Sequence, residues 1–280
     1  MSEAQHYPLG YSEQEARRLA DQGALLEDLT EDMLRRAGLR QGMQVLDIGC
    51  GVGDVSLLAA RLVGSDGSVL GIDKALSSVE TARRRVAAVG VGNARFEESD
   101  LAVFETEQKF DAIVGRLVLL YLPDPATVLR SLSRHLRPHA IVALQEFDMS
   151  QVSQEPASDL FMQTRRWILE AFRAGGAELD MGTKLYTTFL RAGLPAPNMI
   201  AATHVACGPT SPGYEYMARV LRSLLPLIER SRIANVAEID IDTLAARLRD
   251  DAVANERVSF LPRVVGAWAR LSQAPPDRGA

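Results

Sequence analysis

The chain has 280 residues, of which 47% are hydrophobic and 24% charged, with a formal net charge of −5. The apolar fraction supports a sizeable core and excludes global disorder, and the acidic balance gives no electrostatic reason to expect a nucleic-acid partner. Two cysteines, Cys50 and Cys207, exclude a disulfide scaffold and a four-thiolate metal site.

The first ten residues lack a basic segment followed by an apolar one, and no apolar run approaches the ~20 residues of a membrane span. A soluble cytoplasmic protein is therefore expected. Ser12 and Glu15 have capping-box spacing. Leu19, Leu26, Leu29 and Met33 recur at helical intervals, so one or two helices are predicted before Gly38. A buried strand over 44–48 follows, then the run Gly49-Cys50-Gly51-Val52-Gly53, then a helix over 54–62.

A second strand is predicted over 68–72, ending at Asp73, and a helix over 76–89. Arg83-Arg84-Arg85 in that helix reads as a solvated face. The third strand covers 94–97 and leads into Ser99-Asp100-Leu101; the fourth covers 110–114. Pro123 and Pro125 open a helix that runs to 136, and a fifth strand covers 141–145. Strands alternating with helices at this spacing predict a parallel, doubly wound α/β sheet. Beyond Glu146 come helices ending near Gly175 and over 184–192, then a strand-like stretch at 198–207. Helices over 214–232 and 241–256 precede a strand-like stretch at 258–268. Pro262 favours an edge or bulge there, and the tail from 274 is expected to fray.

In open α/β sheets, ligands bind beyond the carboxyl ends of the strands. Asp47, Asp73, Asp100 and Arg116 all fall at such ends. The glycines between the first strand and its helix let bare backbone approach a ligand. Their spacing is not that of a dinucleotide fingerprint, whose third glycine would fall on Asp54 or Ser56. The run is Asp-x-Gly-x-Gly-x-Gly. Asp73, 20 positions after Gly53, can accept hydrogen bonds from both hydroxyls of a ribose. Asp100 can accept one from an adenine amino group, and Leu101 can pack on the ring.

Over about residues 36–148 the chain resembles class I S-adenosylmethionine-dependent methyltransferases. The glycine run carries the resemblance with Gly71-Ile72-Asp73, Glu98-Ser99-Asp100-Leu101 and the segment Phe110-Asp111-Ala112-Ile113-Val114-Gly115-Arg116. Leu122-Pro123-Asp124-Pro125 and Leu136-Arg137-Pro138 also match. It is most similar to the small-molecule branch of quinone-biosynthesis and natural-product enzymes. The resemblance implies a Rossmann-like, seven-stranded, mostly parallel sheet whose last strand, 258–268, is antiparallel. It implies S-adenosylmethionine as cofactor, in contact with Asp47, Gly49, Cys50, Gly51 and Gly53. Asp73, Lys74, Ser99, Asp100, Leu101 and Arg116 complete that set. The expected organisation is a helical cover over 1–35, a core over 36–209 and 257–271, and a tail over 272–280. Helices at 156–193 and 210–256 are then insertions, the second a lid.

Many relatives carry histidine near the start of the helix after strand four, where this chain has Leu120 and Tyr121. A histidine base there does not carry over. Methyl transfer from a sulfonium needs a base only for an acceptor that must lose a proton. Glu146 and Tyr121 are the candidates, with Asp148 beside them; Glu146 reads equally as a solvated turn carboxylate. Tyr7, Tyr11, Tyr121, Trp167 and Tyr214 are candidates to line the acceptor site, with Phe161, Tyr186 and Tyr216 as further aromatic positions. Cys50 is expected to meet the cofactor through its backbone. His204 reads as structural, and His135 and His139 as lying on the face away from the ligand. No metal is expected, because Arg116 and Gln145 stand at strand ends where acidic ligands would be convenient.

The expected partner is a small-molecule methyl acceptor, with neither nucleic acid nor membrane; a homodimer is compatible with the sequence. Three other functions compete with this reading. A nicotinamide-dependent oxidoreductase lacks its third glycine. A nucleic-acid methyltransferase lacks an Asp/Asn-Pro-Pro-aromatic tetrapeptide, since the one Pro-Pro pair, Pro275-Pro276, is in the tail. A non-catalytic cofactor-binding protein fits the lack of a visible base.

Overall fold

The computed structural model describes residues 8–10 and 13–272. In chain order, α1 (Glu13–Ala37) leads into β1 (Gln44–Ile48), α2 (Asp54–Val63), β2 (Ser68–Asp73), α3 (Leu76–Ala88) and β3 (Ala94–Glu98). β4 (Phe110–Arg116), α4 (Pro125–Leu132) and β5 (Leu136–Asp148) complete the first half. The second half holds β6 (Ser153–Glu155), α5 (Asp159–Ala174), α6 (Met181–Ala192), β7 (Asn198–Ala202) and β8 (Val205–Ala206). It ends with α7 (Gly213–Arg230), α8 (Val236–Ile239), α9 (Ile241–Ala254), β9 (Val258–Phe260) and β10 (Arg263–Arg270).

Seven strands form one sheet in the order β3-β2-β1-β4-β5-β10-β7. β10 runs antiparallel to both of its neighbours, and β1, β2, β3, β4 and β5 are parallel. The expected seven-stranded, mostly parallel sheet with an antiparallel last strand is therefore present. Its central strands are aliphatic because both faces are covered. Leu46, Ile48, Leu70, Ile72, Ile113 and Leu144 pack on one side, in the cluster that includes α4 and α6 side chains. Val45, Val69, Ala112, Val114 and Ala143 pack on the other, beneath α1 and α2. Strand order reverses between β1 and β4, and the crevice at such a reversal is where α/β sheets take ligands.

Three expectations change. The stretch 258–268 is two strands, because Pro262 has no amide hydrogen to continue a ladder: β9 joins a small sheet with β6 and β8, and β10 joins the main one. The stretch 198–207 divides likewise into β7 and β8. The helical insertion at 156–193 also divides: α5 packs on α7, whereas α6 packs against β5 and β10 as part of the sheet's own helical layer. The Ser12 cap, Tyr7, Tyr11 and the tail from 274 lie outside the described residues. No helix among the described residues is long and apolar enough to cross a membrane.

Candidate active site

A cavity of about 880 Å³ opens at the carboxyl ends of β1, β2 and β4, beneath α1, α5 and α7. Its sheet side is built on the glycine loop. Gly49, Gly51 and Gly53 have φ of 61°, 53° and 89°, a left-handed backbone that glycine adopts without steric cost. Gly49 has a second reason to be glycine: a Cβ there would overlap the side chain of Val118 on the loop after β4.

Asp73 closes the loop from the side. Its Oδ2 accepts the Gly51 amide and its Oδ1 the Ala75 amide, each at 2.9 Å. Burial pushes its carboxyl up, opposed by those two amides. Each carboxylate oxygen retains a second acceptor site for a ligand hydroxyl. Asp47 lies beneath the loop, where Ser56 Oγ donates to its Oδ2 at 2.5 Å. Burial pushes this carboxyl up to about 7, against the opposing pull of Ser56 and Arg116. Its Oδ1 is buried without a hydrogen-bond partner among the described residues.

Gly49, Cys50, Gly51, Asp73 and Lys74 line the cavity, and so do Asp100, Leu101 and Arg116. Cys50 is buried, and desolvation raises its thiol well above the ordinary value, which keeps it a neutral thiol. Asp100 is exposed and accepts the Ala102 amide at 2.9 Å. Arg116 donates to Thr30 Oγ1 on α1 at 2.9 Å; burial lowers its guanidinium, partly offset by Asp54 and Asp47. Three expected cofactor residues stand behind this lining. Asp47 is under the loop, Gly53 packs against Ala82 and Phe96, and Ser99 donates its amide to the Asp73 carbonyl at 2.9 Å.

The catalytic candidates separate. Tyr121 lines the cavity; Glu146 does not. The Glu146 side chain is fully buried, and its Oε1 accepts the amides of Val118 at 3.0 Å and Leu119 at 2.7 Å. Burial pushes this carboxyl up to about 8, opposed by the amides of Leu119, Val118 and Leu120. It anchors the loop that carries Val118, Leu120 and Tyr121 into the cavity. The reading of Glu146 as a solvated turn carboxylate fails as well, because nothing of it is exposed. Asp148 is held by Arg263 at 2.6 Å and by Ser150, and these bonds bring it below its ordinary range against the desolvation.

Of the aromatic candidates for the acceptor site, Tyr121 and Tyr216 line the cavity, whereas helical rotation turns Trp167 and Tyr214 away from it. On α5 the face toward the cavity is Arg165, Ile168, Leu169 and Phe172, spaced i, i+3, i+4, i+7. Trp167 lies off that face. On α7 the cavity meets Tyr216, Met217 and Val220; Tyr214 is buried elsewhere. Phe161 is in the core and Tyr186 is exposed on α6. The sequence reading also missed Phe147 at the end of β5 and Met149 and Val152 just past it; their apolar character beyond the expected strand end at 145 was the available signal. Gln22 of α1 donates to Tyr216 Oη at 2.8 Å, joining α1 to α7 beside the cavity. His135 stacks edge-on with Phe104, and neither it, His139 nor His204 lines the cavity. Among the described residues no cluster of His, Cys, Asp or Glu is placed to hold a metal ion.

Residues 39–193 match the family model described as a methyltransferase domain. The chain is 37% identical over 144 residues to the 2-phytyl-1,4-naphtoquinone methyltransferase of Synechococcus elongatus, covering 48% of this chain and 58% of that one. It is 32% identical over 134 residues to the trans-aconitate 2-methyltransferase of an Azoarcus species, covering 48% and 49%. The chain thus spans about half the length of the curated relatives it matches. Among solved structures, it resembles phosphoethanolamine N-methyltransferase 2 of Haemonchus contortus in complex with S-adenosylhomocysteine. The TM-score is 0.55 at 17% identity, over 88% of this chain and 53% of that one. That likeness is one of fold.

Proposed function

The chain belongs to the methyltransferase domain family, and from that premise we propose that it moves a methyl group from S-adenosylmethionine to a small molecule. The observation that carries this reading is the single cavity that joins the glycine loop and Asp73 to an apolar chamber under α5 and α7. Its volume of about 880 Å³ lies in the upper part of the ~300–1,000 Å³ range of ligand pockets. The donor set fits the cofactor: Asp73 keeps free lone pairs for ribose hydroxyls, and the backbone at Gly49 and Gly51 presents no side chain to the ligand.

When bound, the cofactor supplies a methyl group already activated on a sulfonium sulfur. The chain's part is then positioning, which can contribute up to ~7–11 kcal/mol in well-oriented reactions. Asp73 and Asp100 hold the nucleoside, with Leu101 against the ring. The Cys50, Gly51 and Gly53 amides are bonded within the protein, so the start of α2 would receive the anionic end. Leu120, Tyr121 and Phe147 bound the space where the acceptor meets the methyl group. α1, α5 and α7 keep water from it, with α7–α9 as the lid and α1 as the cover. The apolar wall under α5 and α7 suits a small-molecule acceptor, and the proposed setting is the cytoplasm, with a homodimer compatible.

Calorimetric titration with S-adenosylhomocysteine tests the reading. Micromolar binding is expected, together with methyl transfer from labelled donor to at least one member of a small-molecule panel. Binding of NADH in place of the adenosyl ligand would overturn it.

A further inference from the structure

We infer that the acceptor is a mostly apolar molecule carrying one anionic oxygen group, and that Arg165 receives that group. The inference rests on the methyltransferase reading above and names the substrate class for it. α5 turns one face to the cavity, and three of its four residues there, Ile168, Leu169 and Phe172, are apolar. Met217 and Val220 continue this wall from α7, and Phe147 continues it from β5. Arg165 is the one charged side chain among the lining residues that the β5 end, α5 and α7 contribute.

A guanidinium offers five donors. Arg165 Nε is buried and has no hydrogen-bond partner among the described residues, and Nη2 reaches only the Ser150 carbonyl, at a long 3.4 Å. Among those residues no carboxylate stands within ion-pair distance of it. A buried donor left unmatched is costly, so a half-buried guanidinium whose Nε is unmatched beside an apolar wall points to an anion that arrives with a ligand.

The cavity has four other arginines, Arg17, Arg18, Arg84 and Arg116, none of them on the wall formed by the β5 end, α5 and α7. Arg18 makes a two-point bond to Glu15 at 2.7 and 2.8 Å, and Arg116 bonds Thr30 between Asp47 and Asp54. The wall formed by the β5 end, α5 and α7 therefore suits one negative charge set on an apolar body.

Two fluorescent probes separate charge from apolar contact: 8-anilino-1-naphthalenesulfonate and its neutral counterpart N-phenyl-1-naphthylamine. Both are titrated into the full chain with and without saturating S-adenosylhomocysteine. Arg165→Met is expected to weaken the sulfonate about tenfold or more and leave the neutral probe within about twofold. Arg165→Lys should retain part of the preference. Ile168→Glu should weaken the neutral probe, locating it in this chamber. Equal loss of both probes in Arg165→Met, or an unchanged ratio between them, would overturn the inference. Calorimetry with S-adenosylhomocysteine on the same proteins reads the parent proposal separately. Failure there would sink the methyltransferase reading, while the probe ratio would still report on Arg165.

Discussion

The Gly51 amide donates to the Asp73 carboxylate at 2.9 Å, tying the end of β2 to the loop that leaves β1. One side chain thus shapes the glycine loop and keeps free acceptor sites toward the cavity. Asp73→Ala is expected to weaken S-adenosylhomocysteine binding about 10–100-fold, since hydrogen bonds to charged groups contribute about 1.5–3 kcal/mol. Asp73→Asn should fall between. Calorimetry that found all three proteins equal would remove Asp73 from the ligand site.

Glu146 makes stability depend on pH. Its carboxyl is raised from an ordinary 4.5 to about 8, mainly by burial. Between those values the unfolded chain binds fewer protons than the fold, so this group's contribution is present below about 4.5 and is lost as pH rises toward about 8. Glu146→Gln keeps an oxygen for the Val118 and Leu119 amides and cannot ionise. Its melting temperature should match the wild type near pH 5 and exceed it near pH 8. Parallel melting curves across that range would contradict the account.

The same variant tests the base role. Because Glu146 lies outside the cavity lining, Glu146→Gln should keep methyl transfer within about threefold, less than the roughly 10²–10⁴-fold that a general base contributes. A loss in that larger range, with the melting temperature unchanged, would restore Glu146 as the base.

Gly49→Ala should lose both stability and ligand affinity. Its φ of 61° costs an L-residue about 1–2 kcal/mol, and the new methyl meets Val118. Denaturant titration reads the first effect and calorimetry the second. If Gly49→Ala binds S-adenosylhomocysteine as the wild type does, the close approach of backbone to ligand at this loop is wrong.

The bond from Gln22 to Tyr216 Oη joins α1 to α7 beside the cavity. Tyr216→Phe removes it at a cost of about 0.5–1.5 kcal/mol. Bound S-adenosylhomocysteine should then leave roughly two- to tenfold faster in stopped-flow chase experiments. An unchanged rate would mean that this contact does not hold α1 closed.

The residues alone were enough for the sheet and its ligand loop. Short aliphatic runs leading to Asp47, Asp73 and Arg116 and set between turn residues read as strands buried on both faces, and strand ends are where such folds take ligands. Gly49, Gly51 and Gly53 state their backbone need directly, because few other residues adopt those angles. The walls of the chamber were not legible in this way. On a helix, neighbouring positions differ by about 100°, and α5 and α7 carry bulky apolar or aromatic residues on several faces. Packing of α5 on α7 set the rotation, choosing Ile168 over Trp167 and Tyr216 over Tyr214. Glu146 follows the same logic. Its place after an aliphatic strand suggested a base at the rim, but the chain folds the Val118–Leu119 turn over its carboxylate. Local pattern reports what backbone and burial require of each segment; which side chains meet in one cavity depends on contacts between segments far apart in the chain.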